Sequence, residues 1–538
     1  MSSRTLVLAG VLIAASLHGA AILHKTCWEH DETISYLAAT GNQARYERAL
    51  SDSSMIGAWT PAARWKSLFA IDRPFEFSRI GGDLARYDVH PPLYFWLLHV
   101  WVLVFGVNVW AGPLLNAVIT AATGFALFRL ARNVTAHRDA AALVLFLWLV
   151  SPIYRVAGDA RQYSLLALWS VLLFGQTVRA MFGARARLGG DSALIAAIVA
   201  CGFLTHYHFA IPLAACGLLV GIGRARARPI AILATGALAG VALFAMLHPR
   251  FLDAFQSVVP SEQPFTLSNF RYRITHLPVA IATFFIERQT AAWLLHNLAA
   301  FGALAGVVVV AAARLAKLNA ARAPALAADS SRPEGESGEA ARTNAPDRLR
   351  AVAILLASVF AGFASLYLLQ ITPMHAMGAR YLSPLWPLFC FAPVLAPRAR
   401  RRSLAFLVSA LAIGLAVSSG IGAWLGAPSD FPLARWLAPP PAALVSDTAA
   451  RGVFPRVFML LPDDCAVLVA SQETLARIVD ARPIDERIAR DGVYFSSLRH
   501  AGTQGGRDAL AARLGASCAP ERSEELDGLG VLYRWRCP

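Results

Sequence analysis

Runs of about 20 apolar residues, the length that crosses a bilayer core as helix, recur along this chain and are parted by short clusters of arginine. The pattern predicts an all-α polytopic membrane protein of about eleven transmembrane helices, with interfacial helices between them. Composition agrees, since 57% of the 538 residues are hydrophobic and only 15% are charged. A formal charge of +15 would suit a nucleic-acid partner if the basic side chains shared one soluble face. They lie instead between apolar runs, where they act as topology signals, and no nucleic acid is expected.

Short cytoplasmic loops carry an excess of Lys and Arg, so these clusters thread the chain. The first span is expected at 5–23, with Arg4 inside, followed by spans at 111–130 and 140–157 whose connecting loop carries Arg132 and Arg138. Next come 162–181, a tight pair around 205–209, 229–247, 291–313, 351–370, 381–396 and 404–424, which leaves the C-terminus outside. The apolar stretch 93–106 decides the parity. It is short for a crossing and holds His99 near its middle, so it is read as an interfacial or re-entrant helix. Asp31, Glu32, Asp159, Arg161, His206, His208, His375 and Arg380 then all fall on the outer face. The first span is read as a retained anchor rather than a cleaved signal peptide, although a lone Arg and small residues near Ala20 resemble one.

Residues 1–427 are thus expected to form the transmembrane domain and 428–538 a small external α/β domain, with strand-like 465–470 and 530–535 around a helical 472–480. The first external loop, 24–106, carries Trp28, Trp59, Trp65 and Phe69, suited to a membrane interface as short amphipathic helices. A second external loop, 248–278, holds Arg250, Arg271, Arg273 and His276 and suits a lid over a lipid phosphate. The stretch 319–348 lacks large apolar residues and reads as a disordered cytoplasmic linker. Of the seven cysteines, Cys518 and Cys537 are the expected external pair; no CxxC or His-rich spacing argues for structural zinc.

The polar residues that interrupt this apolar background carry the chemistry. Asp31-Glu32 places two carboxylates just outside the first span, where they either start a helix or work on a substrate at the membrane surface. Arg161 stands at the outer end of a span, suited to a bidentate phosphate contact or to simple snorkelling. His206 and His208 flank Tyr207 in a hairpin, where imidazoles bind phosphate, hold a divalent ion or merely favour the head-group region. Arg380 and Tyr381 begin another span at the same depth. In Asp88-Val89-His90-Pro91-Pro92 the prolines pre-set a helix start, while Asp88 and His90 line the cavity.

Taken in order, Asp31-Glu32, 88–94, Ala160-Arg161-Gln162-Tyr163-Ser164, 205–208 and Arg380-Tyr381-Leu382 resemble the GT-C superfamily, nearest the protein O-mannosyltransferase and aminoarabinose transferase branch. The resemblance spans about residues 5–400 and does not extend to the C-terminal part. It implies an inverting glycosyltransferase that takes a sugar from a polyprenyl-phosphate donor at the periplasmic face of a bacterial inner membrane. Asp31 would be the base, with Glu32 orienting it or binding acceptor. Arg161, Tyr163, Arg380, Tyr381, His206, His208, Asp159, Asp88 and His90 would bind donor phosphate or substrate. The acceptor is a lipid, a glycan or a protein. No cofactor is required, and a divalent cation is permitted by the carboxylates and histidines without being demanded. The first-loop lysine of some relatives has no firm counterpart, Lys66 matching by location only. A transporter or flippase, or a non-catalytic protein binding lipid-linked glycans, is the competing reading. Clear internal repeats and charges near the bilayer midplane, which would favour a transporter, are not evident.

Overall fold

The computed structural model describes residues 3–151, 153–183, 186–222, 227–253, 265–275, 345–369, 380–395, 433, 437–471 and 474, and strands within 491–536. Two compact units emerge: residues 1–22, 89–94 and 113–425 form one, and residues 23–88, 95–112 and 426–538 the other. The chain is mostly helical, with a small sheet.

In the first unit six described helices are long and apolar enough to cross a membrane. They are α1 (Ser3–Leu23), α7 (Ala111–Thr135), α10 (Tyr163–Phe182), α11 (Leu188–Thr205), α13 (Ala227–Leu247) and the helix Ala345–Leu368. Shorter helices α8 (Arg138–Leu149), α9 (Ile153–Ala157) and α12 (Ala210–Ile222) complete the described bundle, with Trp386–Phe389 and Ala392–Leu395 near its end. The predicted spans 291–313 and 404–424, Cys518, Cys537, His276 and His375 lie outside the described residues. The linker reading of 319–348 does too, except at its end, where 345–348 already belong to a helix.

Two predicted spans differ in form. The span at 140–157 is broken between Leu149 and Ile153; Ser151 precedes a proline in sequence, which disfavours helical backbone there. The span at 381–396 becomes two short helices, because Pro384, Pro387 and Pro393 each lack the N–H that a continuous helix needs.

Packing shows how close helices come without a solvent-driven force. A Cβ on Gly236 would lie 2.7 Å from Ile195 Cβ and 2.8 Å from the Ser192 carbonyl oxygen. One on Gly240 would lie 2.6 Å from the Ala196 carbonyl oxygen. Glycines at this four-residue spacing let α13 meet α11 backbone to backbone, and Ser192 adds a 3.2 Å hydrogen bond to the Ile232 carbonyl.

Contacts within this unit also show which helix ends lie together. Arg348 donates to the carbonyls of Asn133 and Phe182, so the ends of α7 and α10 and the start of Ala345–Leu368 share one face. Ser3 donates to Asp139 at 2.6 Å, which brings the start of α1 to the loop following α7. The apolar helix α6 (Leu93–Phe105) is 13 residues long, shorter than the helices of membrane-crossing length.

The second unit joins chain ends. Its helices α2 (His30–Ala39), α3 (Gln43–Ala49), α4 (Ala62–Lys66) and α5 (Phe77–Tyr87) all come from the first loop. Strands β2 (Ala443–Ser446), β3 (Ala466–Val469), β4 (Asp491–Ser497), β5 (Pro520–Leu526) and β6 (Gly530–Arg536) come from the C-terminal part. The loop also supplies β1 (Trp59–Pro61), which pairs antiparallel with β3, Thr60 opposite Val467. The sheet order is β1-β3-β2-β4-β6-β5, with β2 parallel to both β3 and β4. Trp65, fully buried, donates to the Thr60 hydroxyl and meets Phe454 edge-on at 5.0 Å. The loop is thus more than a row of amphipathic helices: it is part of the sheet's edge and core.

Candidate active site

The predicted site residues fall into two groups, one in each unit. In the helical unit, Arg161 is 4% exposed and sits in the turn that opens α10. Asn116 on α7, fully buried, shapes that turn by donating to the carbonyls of Asp159 (2.5 Å) and Arg161 (3.1 Å). Nothing in the sequence pattern singled out Asn116; a buried amide in an apolar span was the available signal. The Arg161 guanidinium lies 3.1 Å from His90 Nε2. Arginine keeps its protons, so His90 accepts there.

His90 and His206 meet edge-on at 6.1 Å, His206 lies 4.5 Å from His208, and Tyr163 lies 5.7 Å from His206 and 5.1 Å from Tyr381, all between ring centroids. The Arg380 guanidinium caps both tyrosine rings, 5.8 Å from the centre of Tyr163 and 5.3 Å from that of Tyr381. Seven sequence-predicted positions, His90, Arg161, Tyr163, His206, His208, Arg380 and Tyr381, thus gather at the end of the bundle opposite Arg348.

This group pairs permanent cations with neutral imidazoles. The His206 ring accepts the His208 backbone N–H through Nδ1 at 3.1 Å. Burial pushes His206 well below its ordinary range, aided by His208, His90 and Arg161; burial and then His90 bring His208 down to about 4. Both imidazoles are neutral at pH 7 and retain one N–H each. Several buried polar atoms have no hydrogen-bond partner among the described residues: both amide atoms of Gln162, the hydroxyls of Ser164 and Ser383, and His208 Nδ1. In sequence each lies within two residues of Arg161, Tyr163, Tyr381 or His206. Unsatisfied groups of this kind are costly, and their concentration beside two arginines fits a polar, anionic ligand.

The second group surrounds Asp31 and Glu32, at the second and third positions of α2. Glu32 is fully buried, and its Oε2 accepts from the Glu29 N–H and from the Lys25 ammonium, each at 2.8 Å. Its carboxylate closes the helix start in the manner of a capping box. Asp31 is more open, with 22% of its side chain exposed, and its Oδ1 lies 3.0 Å from His30 Nδ1. Neither Lys25 nor His30 was anticipated as a site residue; both are sequence neighbours of the acidic pair. Tyr36 accepts the Gly112 N–H at 2.7 Å, and burial together with the Glu32 charge pushes its phenol well up, so it stays protonated. Lys66 is bound to the Leu461 carbonyl and, at 2.8 Å, to Asp463. Asp88 follows α5, its N–H donating to Leu84. Among the described residues no three His, Cys, Asp or Glu side chains are gathered as a metal site.

The profile of the family described as dolichyl-phosphate-mannose-protein mannosyltransferase matches residues 89–248. Over that segment the chain resembles these mannosyltransferases. The motifs at 160–164 and 205–208, and all of 88–94 but Asp88, lie inside the match, and the resemblance read from them is borne out. Solved structures similar to the chain include ArnT from Cupriavidus metallidurans bound to undecaprenyl phosphate, at 13% identity and TM-score 0.48, covering 99% of this chain and 98% of that one. Another is the Archaeoglobus fulgidus oligosaccharyltransferase in complex with Zn and sulfate, at 11% identity and TM-score 0.47, covering 96% of this chain and 71% of that one. No curated protein matches the chain. With six described membrane-length helices, this is a multi-pass membrane protein.

Proposed function

We propose that the chain is an inverting glycosyltransferase that moves a sugar from a polyprenyl-phosphate donor to a cell-envelope acceptor at the periplasmic face of a bacterial inner membrane. The observation that carries this reading is the gathering of Arg161, His90, His206, His208 and Arg380 at one end of a membrane bundle, with Arg161 and His206 buried. The family match to a lipid-phosphate-sugar-dependent transferase supports it.

In the reaction, Asp31 takes the proton of the acceptor hydroxyl, whose oxygen attacks the anomeric carbon as the bond from that carbon to the phosphate oxygen breaks. The electron pair leaves with the polyprenyl phosphate. Arg161 and Arg380 hold the charge that develops on it, and the neutral imidazoles donate hydrogen bonds without adding a titrating charge. Glu32, bound to Lys25 and the Glu29 N–H, keeps α2 in place. Asp159, Tyr163, Tyr381, Asp88 and His90 shape the donor and acceptor surfaces.

Transfer of a radiolabelled sugar from synthetic polyprenyl-phosphate donors, by purified protein in lipid, tests this reading. Asp31→Asn is expected to bind donor normally and to lose transfer by about 10²–10⁴-fold, the usual contribution of a general base. Full transfer by that variant would sink the mechanism, and donor binding without release by wild type would move the protein to lipid-glycan binding or transport.

A further inference from the structure

The end of α7 that meets Arg348 carries a recess away from the proposed site. A cavity of about 340 Å³ is lined by Phe125, Phe128, Arg129, Arg132 and Asn133, all from that one helix. Arg129 and Arg132, three residues apart, are neighbours on the helix surface, and both are exposed. Arg348 adds a third guanidinium at the rim, donating to the Asn133 carbonyl at 2.7 Å. Among the described residues no carboxylate is paired with Arg129 or Arg132. The acid nearest to them in sequence, Asp139, accepts from Ser3. Like charges held side by side on a helix cost stability, so the recess favours an anion from outside the chain.

Depth along the helix says what kind of anion. α7 ends at Thr135; at 1.5 Å per residue, Arg132 lies about 4.5 Å, Arg129 about 9 Å and Phe125 about 15 Å before that end. The recess therefore runs from the level of lipid head groups into the hydrocarbon. An arginine that merely snorkelled would carry its charge on toward the water. Arg129 instead leans back over the Phe125 ring, its guanidinium carbon 5.9 Å from the ring centre, in the direction that helical side chains take. A guanidinium held at that depth without an anion is costly. Phe125 is 64% exposed, so the same recess offers an apolar wall to a chain that continues inward. Inorganic phosphate would satisfy the arginines and leave that wall bare.

We propose that this recess binds one anionic glycerophospholipid from the leaflet on the Arg348 face, its phosphate between Arg129 and Arg132 and an acyl chain against Phe125 and Phe128. Asn133, at the head-group end, supplies an amide for the phosphodiester or glycerol oxygens. The lining asks for a ligand of two parts, a negative phosphodiester joined to hydrocarbon. It lies at the other end of the bundle from His206 and Arg380, so this lipid is a partner of the scaffold and not the donor. Once bound, it neutralises the two like charges on α7 and raises the resistance of the bundle to unfolding.

The test uses the full chain, delipidated in neutral detergent and titrated with phosphatidylglycerol or phosphatidylcholine, while bound lipid is counted by native mass spectrometry and thermal unfolding is followed. Wild type is expected to retain one phosphatidylglycerol, to unfold at a higher temperature with it, and to hold phosphatidylcholine far less tightly. The double variant Arg129→Gln/Arg132→Gln is expected to bind phosphatidylglycerol about 25-fold more weakly, about fivefold for each guanidinium removed from the membrane surface. Phe125→Ala is expected to weaken it too, whereas Arg138→Gln, which removes an exposed charge outside the recess, is expected to leave it unchanged. Equal retention of phosphatidylcholine, wild-type affinity in the double variant, or equal weakening in Arg138→Gln overturns the proposal, the last by revealing a diffuse charge effect. Displacement of phosphatidylglycerol by an equal concentration of inorganic phosphate, or wild-type affinity in Phe125→Ala, would mean a bare phosphate contact and overturn the lipid assignment. The comparison of the two lipids on wild type needs no variant, and so decides the matter where a substituted chain fails to fold.

Discussion

At the scale of single residues, the arginines and histidines of the helical unit would divide the work of meeting the donor phosphate of the proposed reaction. Guanidinium groups supply charge that no accessible pH removes, whereas the buried imidazoles supply donors without charge. The second property has a measurable cost. His208 is brought from an ordinary 6.5 down to about 4 by burial, so between those values the unfolded chain binds a proton that the folded chain refuses. Stability contributed at neutral pH is therefore lost as pH falls through that window, by about 2 kcal/mol at pH 5 for this residue alone. Thermal unfolding in detergent at pH 7 and pH 5 checks it: the difference is expected to shrink in His208→Asn, and an unchanged difference would show that other groups govern the acid response.

At the scale of elements, α11 and α13 depend on the absence of side chains at Gly236 and Gly240, since the nearest atoms to an added Cβ include backbone oxygens that cannot swing aside. Gly240→Leu is expected to destabilise the bundle by about 1–3 kcal/mol or more, as overpacking does, read as a lower denaturant midpoint in mixed micelles. Wild-type resistance would mean that the pair can separate without loss. Helices of this kind were legible in the sequence, because length and apolarity alone specify a span; α1, α7, α10, α11, α13 and Ala345–Leu368 lie where the apolar runs do. The contacts of Ser3 and Arg348 also bring together helix ends that the basic clusters assign to one face. Elements decided by distant partners were less legible. The helix break after Leu149 falls beside a proline in sequence, a local constraint that an apolar run conceals. Strand β1 is three residues long and pairs with residues about 400 positions away, so no local periodicity announces it. In the site, charged and aromatic residues at span ends were visible, whereas Asn116, Lys25 and His30 matter through what they touch, which only the folded chain reveals.

At the scale of the molecule, residues 23–88 and 426–538 fall in one compact unit, while the spans between them form the bundle. The first loop draws β3, Arg451, Arg456 and the Leu461 carbonyl from the C-terminal part. A chain ending at residue 425 is accordingly expected to keep the helical circular dichroism of its bundle but to expose 23–88 to protease, with transfer lost. Limited proteolysis followed by mass mapping checks this, and an equally resistant loop in the shortened chain would show that it folds without its sheet.

The pairing of Thr60 with Val467 also sets a schedule for synthesis. At 5–20 residues per second, the ribosome needs about 20–80 s to cover the 407 residues between them. Throughout that interval the loop that bears Asp31 has emerged without the strand it pairs with. The newborn protein thus passes through a period of vulnerability to degradation and mispairing, and any catalysis that requires an ordered Asp31 begins only after the last part of the chain has been delivered.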